Sequence, residues 1–399
     1  MIRHLFTLMW NRKRATGLLI LEILLAFVVL FAVGSVGVYN WRNYRTPLGF
    51  AYEHVWEVDL NSGAQPRGEQ FATLQRVLQQ LRATPGVVSA ARCSENTPFA
   101  FNNNWTEFRA KEGTNRPKSG SDFYFAGPEL REVMDLQLVA GRWFDRRDEA
   151  TAAARRRPMV ITELMQTKLF PGGESAVGKT IKDNDNDDYE VVGVTGPYRA
   201  GGELSEFQPG VFAYVSPQDT SHALFNLLVR VRPGSGAVLE KRLSDDIRTS
   251  SSGWASSIVS LPEQRLTQLK FRLTLPAILA MVCLFLLINV ALGLFGVLWL
   301  NINQRRAELG VRRAMGATAG AISRQVLGEI LVLTTFGSGL GLLVALQFPL
   351  LGVLDVPTGV YLTAMALAAA GLYGLATVCA LYPSRLAAGI HPAVALREE

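Results

Sequence analysis

The sequence predicts a membrane protein with four transmembrane helices, one N-terminal and three C-terminal, and a large α/β-type extracytoplasmic domain between spans 1 and 2. Two observations lead to this fold class. Of the 399 residues, 49% are hydrophobic and 19% are charged, which lies between the composition of a soluble protein and that of a fully membrane-embedded bundle. In addition, four stretches reach or approach the roughly 20 apolar residues that a helix needs to cross a bilayer.

The apolar stretches divide the chain into segments. The first stretch follows Arg12, Lys13 and Arg14, but it is too long for a secretory signal and lacks a small-residue cleavage site, so we expect an uncleaved anchor. The predicted segments are a cytoplasmic N-terminal helix (1–16), span 1 (17–38), an extracytoplasmic domain (39–275), span 2 (276–300), a cytoplasmic coupling loop (301–325), span 3 (326–348), a short outer loop (349–359), span 4 (360–382) and a cytoplasmic tail (383–399).

The basic residues of the short segments predict the orientation, because cytoplasmic loops carry an excess of Lys and Arg. The short outer loop has Asp355 as its charged residue. Basic residues precede span 1, separate spans 2 and 3, and follow span 4: Arg3, Arg12, Lys13 and Arg14; Arg305, Arg306, Arg312, Arg313 and Arg324; Arg385 and Arg397. We therefore expect a multi-pass protein of the inner (plasma) membrane with both termini cytoplasmic.

The large outer segment shows strand-like alternation between stretches of helical spacing, which favours an α/β or α+β domain over a sandwich. The stretch 94–122, rich in Asn, Thr, Lys and Gly, is predicted to be irregular or inserted. Strands are predicted at 53–60, 86–91, 123–125, 158–161, 189–194, 211–215 and 227–231, and helices at 68–83, 129–135, 162–170 and 236–248.

Residues 173–180, G-E-S-A-V-G-K-T, match the phosphate-binding pattern of P-loop nucleotide sites. Such a loop needs a buried strand before it and a helix after it, whose N-terminus receives the phosphates. Here a helical stretch (164–170) and a Pro-Gly-Gly turn precede the pattern, and the acidic run D-N-D-N-D-D follows it. The context therefore favours a structural turn and strand, although a chain that is itself an NTPase stays an alternative to be tested.

The acidic run begins like a calcium loop, with aspartates at alternate positions from Asp183. Asp188 then occupies the position of the turn-forming glycine, and Val194 that of the bidentate glutamate. An exposed hairpin turn within 181–189 is the better interpretation, with a weak surface cation site as the alternative.

No arrangement of residues indicates catalysis or a metal site, so we expect a chain that is not an enzyme. A dispersed catalytic triad would leave no motif and stays open. The histidines and cysteines are scattered, which gives neither metal-ligand spacing nor a disulfide framework: His4, His54, His222 and His391; Cys93, Cys283 and Cys379.

Polar and small residues within the spans suggest packing roles. Glu22 lies in span 1 and Asn289 in span 2, where an ionisable group is by default a functional hypothesis. Glu22 is close enough to the cytoplasmic end to extend towards Arg12 to Arg14, which we prefer. Gly337 and Gly341 allow close approach of span 3 to another helix, within the chain or across a dimer.

The loop between spans 2 and 3 is the most informative segment. Its sequence over 305–329 is R-R-A-E-L-G-V-R-R-A-M-G-A-T-A-G-A-I-S-R-Q-V-L-G-E. A basic stop signal would need only charge, whereas this loop pairs Glu308 with Arg312 at helical spacing and sets Leu309 and Met315, expected to be exposed, among small residues. A short amphipathic helix of this kind is suited to docking into a groove of a partner.

At these residues the chain resembles a MacB/FtsX-type permease subunit of an ABC transporter. Residues 306–317 are similar to the family's loop after the second span, and Glu329 matches an acidic residue that follows it. Further similar stretches are the C-terminal L-Y-P-S-R-L-A-A-G-I-H-P-A-V-A-L-R-E-E, L-V-A-G-R-W-F (138–144), V-I-T-E-L-M-Q-T-K-L-F-P-G-G (160–173), V-G-K-T-I (177–181) and Y-E-V-V-G-V-T-G (189–196).

The resemblance implies a permease without its own ATPase, since fused members carry an ATPase domain that this sequence lacks. ATP and Mg²⁺ would be bound by a separate ABC ATPase dimer, and this chain would hold no cofactor. Other implied partners are a second permease copy or paralogue, membrane lipid, and a periplasmic adaptor with an outer-membrane channel, with no nucleic acid. The residues expected to dock the ATPase are Glu308, Leu309, Arg312, Arg313, Met315 and Gly316.

The function implied by the resemblance is ATP-driven movement of the outer domain, mechanotransmission, that exports drugs, peptides or similar substrates. Two related functions stay open at this point. One is a lipoprotein-releasing permease, and the other is an FtsX-like regulator that switches cell-wall hydrolases without moving a substrate.

Overall fold

A computed structural model describes residues 13–111, 117–145, 147–149, 156–216, 225–251, 253–352 and 356–388. The predictions for the N-terminal helix (1–16), for Asp355 and for the tail (383–399) lie wholly or largely outside the described residues. The described chain divides into two compact units. The described residues within 1–42 and 273–399 form the helical unit, and those within 43–272 form the β-rich unit.

The elements follow one another along the chain as two sets. The helices are α1 (Lys13–Tyr44), α2 (Arg67–Ala83), α3 (Leu130–Met134), α4 (Glu163–Leu169), α5 (Ala237–Ser250), α6 (Leu261–Gln304), α7 (Arg306–Ala314), α8 (Ala319–Ala345), α9 (Gln347–Leu350) and α10 (Thr358–Ala388). The strands are β1 (Val55–Asn61), β2 (Val87–Cys93), β3 (Trp105–Ala110), β4 (Lys118–Ala126), β5 (Leu138–Gly141), β6 (Arg156–Thr162), β7 (Thr180–Lys182), β8 (Asp188–Thr195), β9 (Gly210–Tyr214), β10 (Asn226–Val231) and β11 (Ala255–Ser260).

Four helical segments of the described chain are long and apolar enough to cross a membrane, one near the N-terminus and three in the C-terminal part. They are Gly17–Tyr44, Leu261–Gln304, Ala319–Leu350 and Thr358–Ala387. The predicted fold class, four such helices around a large intervening domain, is confirmed. Each helix is longer than the apolar stretch predicted for it, because polar residues that continue a helix beyond the hydrocarbon region leave no mark in an apolar count.

The buried cluster of the helical unit takes side chains from several helices, and α8 meets α1 most closely at two glycines. A Cβ atom at Gly337 would lie 2.6 Å from Cγ2 of Ile23, and one at Gly341 would lie 2.7 Å from Cδ1 of Phe27. The predicted close approach of the two glycines is thus found, and the helix that they contact belongs to the same chain. On another face α8 packs against α10, where Thr335 Oγ1 and Tyr373 Oη are 2.7 Å apart.

The β-rich unit contains one eleven-stranded sheet with two parts. In one part, β11, β1, β10 and β2 pair antiparallel in that order. In the other, β4, β3, β7, β8, β6 and β9 pair in succession, and β9 also pairs with β4 in parallel, so these six strands pair in a closed ring. β5 is added to β8.

Helices cover the two parts of the sheet and bury separate apolar clusters. α2 and α5 pack over the four-stranded part through Leu78, Leu81 and Leu243. α4 places Met165 and Leu169 in the core of the ring. The mixed α/β composition predicted for this segment is therefore observed.

The stretch 94–122 was expected to be irregular, and this expectation is wrong for part of it. Residues Trp105–Ala110 form β3, which pairs with β4 from Trp105 opposite Asp122 to Arg109 opposite Lys118. Trp105 is 61% exposed and Phe108 is buried, so large aromatic side chains lie on both faces of β3. The short strand therefore shows too little apolar alternation to be recognised from the sequence.

Candidate functional site

The loop between spans 2 and 3 folds as a short helix with defined ends. α7 ends at Ala314, and Gly316 follows with φ of +96°, a left-handed conformation that glycine adopts at little cost. The Ala317 amide donates to Arg312 O (3.0 Å) and the Gly316 amide to Arg313 O (3.1 Å), which is a Schellman C-cap. The predicted docking residue Gly316 thus lies at the turn that ends α7.

Thr318 is the N-cap residue of α8. Its Oγ1 accepts a hydrogen bond from the Ala321 amide at 3.3 Å and so caps the helix N-terminus. Since one helix ends and the next begins within four residues, the direction of α7 relative to α8 is set by local backbone hydrogen bonds.

A hydrogen-bonded network of charged and polar groups joins α7 to α8. Arg305 donates to Glu308 (3.0 Å) and to Glu329 (3.1 Å), and Arg312 donates to Glu308 (2.6 Å) and to Gln325 (2.8 Å). Hydrogen bonding to Glu308 is the main cause that raises the pKa of Arg305 above its ordinary value. The predicted pairing of Glu308 with Arg312 is confirmed, and Arg312 also connects α7 to Gln325 of α8.

The side of α7 that faces α8 is apolar. Leu309 is only 4% exposed and belongs to the same buried cluster as Ile302, Ile322 and Val326. The expectation that Leu309 is exposed is wrong, because the first turns of α8 supply apolar side chains that cover it. Leu309 therefore attaches the buried side of α7 to α8.

The opposite face of α7 is exposed and contains mainly small or apolar side chains. Met315 is 76% exposed and Val311 is 41% exposed, and Ala307 and Ala314 lie exposed beside them. Residues 307, 311 and 314 recur at helical spacing, so they share one face. Val311 was missed as a docking candidate, although its position four residues after Ala307 and four before Met315 was a signal. We name Ala307, Val311, Ala314 and Met315 the exposed α7 face.

The two arginines predicted to dock lie at the margin of this face rather than on it. Arg312 and Arg313 are both half-buried, and Arg312 is held by Glu308 and Gln325. Glu308 is exposed, but its carboxylate accepts a hydrogen bond from Arg312 in the same network. The predicted residues therefore lie together on α7 and the turn that follows it, but in different environments. Leu309 is buried, Glu308 and Arg312 belong to the hydrogen-bonded network, and Met315 lies on the exposed α7 face.

The nucleotide-like segment has the element order that the sequence suggested. The segment lies between α4 and β7, so the order is helix, loop, strand. A P-loop requires the order strand, loop, helix. Lys179 forms an ion pair with Glu174, and its Nζ lies 4.7 Å from the centroid of the Phe170 ring. The lysine thus has local partners within the same turn.

Replacing Lys179 with alanine is expected to leave nucleotide binding by the purified chain unchanged at background level, because this loop does not present a helix N-terminus to phosphate. Fluorescent ATP analogue binding to wild type and Lys179→Ala measures this. Saturable binding that the substitution abolishes would contradict the interpretation.

The acidic run forms the predicted hairpin between β7 and β8, which pair antiparallel. Asp183 accepts hydrogen bonds from the Asp187 amide (2.9 Å) and from Tyr189 Oη (3.1 Å). Asp188 pairs with Lys111 (2.6 Å), and this hydrogen bond is the main cause that lowers the pKa of Asp188. These carboxylates stabilise the hairpin and its neighbour β3.

The polar residues inside the spans contact neighbouring backbone. Oε2 of Glu22 lies 2.8 Å from the position that a Cβ of Gly293 would occupy, so its carboxyl group packs on the backbone of α6. The preferred partners Arg12 to Arg14 lie outside the described side chains. Asn289 Nδ2 donates to Phe285 O (2.8 Å) within its own helix.

Comparison with known families agrees with both units. A family model described as the MacB-like periplasmic core domain matches residues 16–245, and one described as the FtsX-like permease C-terminal matches residues 278–392. The chain is a MacB/FtsX-type permease. Membership in this ABC transporter permease family, together with four apolar helices, makes it a multi-pass inner-membrane protein.

Curated relatives of this MacB/FtsX-type permease are longer proteins. The Macrolide export ATP-binding/permease protein MacB 1/2 of Paracoccus denitrificans is 29% identical over 228 residues, which cover 56% of this chain and 33% of the relative. The Macrolide export ATP-binding/permease protein MacB of Hahella chejuensis is 26% identical over 291 residues, 68% of this chain and 42% of the relative. The permease thus spans a third to less than half of the length of these relatives.

Two solved structures similar to part of the permease are those of a periplasmic region and an extracellular domain. The periplasmic region of MacB from Actinobacillus actinomycetemcomitans is 14% identical and covers 57% of this chain and 97% of that chain, with a TM-score of 0.38. The extracellular domain of the noncanonic ABC-type transporter YknZ from Gram-positive bacteria is 17% identical and covers 51% of this chain and 99% of that chain, with a TM-score of 0.35.

Proposed function

We propose that this permease couples ATP hydrolysis by an ABC ATPase to movements of its β-rich unit, and that these movements drive export of drugs, peptides or similar substrates. The observation that supports the proposal most directly is the exposed α7 face, with Met315 and Val311 open to solvent on a helix fixed from beneath. An exposed apolar face on an anchored helix is suited to insertion into a groove of a partner protein.

The anchoring of α7 explains how a docked partner would act on the membrane helices. Leu309 packs into the buried cluster, and Arg305 and Arg312 connect α7 to Glu329 and Gln325 of α8. A displacement of α7 would therefore be passed to α8 rather than absorbed by a flexible loop. The Schellman turn at Gly316 further limits independent movement of the two helices.

The proposal includes an orientation and a set of partners. We place α7 and both termini in the cytoplasm, because the basic residues cluster there. ATP and Mg²⁺ are bound by the ATPase dimer. A second permease copy or paralogue, a periplasmic adaptor and an outer-membrane channel complete the proposed assembly.

The test combines Val311→Asp with Met315→Asp in the full chain and measures co-purification with an ABC ATPase and the stimulation of ATP turnover. Two carboxylates on the exposed α7 face would have to be desolvated on docking, so we expect association to weaken at least about tenfold. Neither side chain is in the buried cluster, and the permease should keep its thermal stability.

Val238→Asp is the matched control, since it makes the same change at a position of the β-rich unit that is 88% exposed. It should leave association and stimulated turnover unchanged. Full association and full stimulation of the Val311→Asp/Met315→Asp variant would remove α7 as the docking element.

A further inference from the structure

A buried arginine holds the end of α1 within the β-rich unit. Arg199, in the loop after β8, is 2% exposed. Its Nη1 donates to Asn43 O (2.9 Å) and Thr46 O (3.2 Å), and its Nη2 donates to Glu203 O (2.5 Å) and Ser205 O (2.9 Å). One guanidinium group therefore joins the residues that end α1 to the loop 199–205.

The position of this cation follows from the electrostatics of a helix end. The last carbonyl groups of a helix lack intrahelical partners and carry a partial negative charge, which favours a cation there. Asn43 O is such a carbonyl group of α1, and it lies next to the Arg199 guanidinium. Arg199 also stacks on Phe207, with 4.4 Å between the guanidinium carbon and the ring centroid. The burial of its charge is thus offset by carbonyl and aromatic contacts.

The same loop holds the first turns of α6. Glu203, which is 5% exposed, forms an ion pair with Arg265 of α6. Arg265 also lies over the Tyr52 ring, 5.2 Å from its centroid. The Glu203–Arg265 pair therefore connects α6 to the loop 199–205, which Arg199 in turn joins to the end of α1.

Further contacts fix the same face of α6 along three turns. Gln264 donates to Glu57 of β1, and Gln268 donates to Ala100 O (3.1 Å). Two turns after Arg265, Nη2 of Arg272 lies 3.0 Å from the position that a Cβ of Gly201 would occupy. The outer turns of α6 are thus bound to the β-rich unit by polar contacts on one face.

A cleft of about 660 Å³ lies beside these contacts. Its lining includes Tyr44, Phe50, Pro197, Glu203 and Arg265. The lining thus comes from the end of α1, the loop after β8 and α6, and it includes both partners of the Glu203–Arg265 ion pair. Such contacts are directional, so they define one arrangement.

We infer that Arg199, Glu203 and Arg265 form a clamp that makes the end of α1 and the first turns of α6 move together with the loop 199–205. All three are positioning residues. The inference rests on the proposed function only in that the movement which the clamp passes on is started by ATP hydrolysis. Opening the clamp should separate ATP turnover from movement of the β-rich unit.

The experiment measures hydrogen exchange of the full chain in nanodiscs without ATP, in wild type and Glu203→Gln. Removing the charge of Glu203 weakens its pairing with Arg265 while leaving its backbone carbonyl available to Arg199. We expect amide exchange to rise roughly tenfold in 43–52 and in 261–268 together, with an unchanged melting temperature of the chain. A rise confined to one of the two segments, or in neither, would overturn the clamp.

A charge swap and a control make the result specific. Glu203→Arg and Arg265→Glu should each open both segments, and the double variant should restore wild-type exchange, since the pair is re-formed with reversed charges. Failure of the double variant to recover while the single variants remain folded counts against the clamp. Glu107→Gln, which removes an ion pair with Lys118 elsewhere in the β-rich unit, should leave exchange in 43–52 and 261–268 unchanged.

A second arm separates the clamp from the proposed function. The permease is reconstituted with its ATPase, and the change of exchange in the β-rich unit on adding ATP is measured beside ATP turnover. Glu203→Gln should keep turnover and lose most of the ATP-dependent change; a variant that keeps both overturns the clamp as a transmitting element. A wild-type complex without an ATP-dependent change contradicts the proposed function, whereas the ATP-free result decides the clamp by itself.

Discussion

Gly341→Leu is expected to destabilise the helical unit strongly and to lower the yield of folded protein. A Cβ at this position would lie 2.7 Å from Phe27, closer than carbon atoms can approach, and both Gly341 and Phe27 are buried. Forcing extra atoms into a packed interior costs about 1–3 kcal/mol, and a leucine adds four carbons where none fits. The measurement is the melting temperature of the purified chain in detergent, with the yield of folded protein as a second readout.

Gly339→Leu is the matched control, because it lies on the same helix two residues away. Apart from the neighbouring residues and backbone of its own helix, no atom of the described residues lies within 4 Å of the Cβ position at Gly339. We expect its effect on the free energy of unfolding to stay within about 0.5 kcal/mol. Equal losses in the two variants would show that leucine is poorly tolerated anywhere on α8, and that contact with α1 does not explain the effect.

The sequence predicted that this glycine pair allows close helix approach, but not which helix it meets. The four-residue spacing of Gly337 and Gly341 places both on one face of α8, and this can be read from one segment of the sequence alone. The partner, α1, is separated from α8 by nearly the whole chain, and a second copy was an equally open possibility. Apolar length, by contrast, is a property of each segment alone, and the four membrane helices could therefore be recognised.

The β-rich unit shows the same limit for strands. The antiparallel hairpin of β7 and β8 was predicted, since its turn is signalled by the acidic run between them. The parallel pairing of β4 with β9, which closes the ring, was not predicted. The two strands are far apart in sequence, and no local pattern indicates their register. The Arg199 contact to Asn43 spans 156 residues and was invisible for the same reason.

The prediction for the α7 site was right about its composition and partly wrong about its geometry. The Glu308–Arg312 pair could be derived because it depends on spacing within one helix. The burial of Leu309 could not be derived from the sequence, because it depends on Ile322 and Val326 of the next helix, which cover it. The site therefore consists of a buried anchor and an exposed face, and the two should respond differently to truncation.

Leu309→Ala is expected to detach α7 from α8 and to abolish most ATPase stimulation, although Leu309 does not touch the partner in our proposal. Truncating a buried leucine costs about 2–5 kcal/mol, which is comparable with the stability of a short packed helix. Hydrogen exchange of residues 305–317 in the isolated chain should rise more than tenfold. Stimulated ATP turnover, measured after adding the ATPase, should fall in parallel.

Met315→Ala provides the comparison because it removes apolar area from the exposed α7 face and leaves the buried cluster intact. Its hydrogen exchange in the isolated chain should match wild type, since a truncation at an exposed position changes stability by within about 0.5 kcal/mol. Weakened ATPase binding would then appear without loosening of the helix. If Leu309→Ala instead left exchange unchanged and lowered only ATPase binding, Leu309 would be a docking contact after all, and α7 would have to turn when the partner binds.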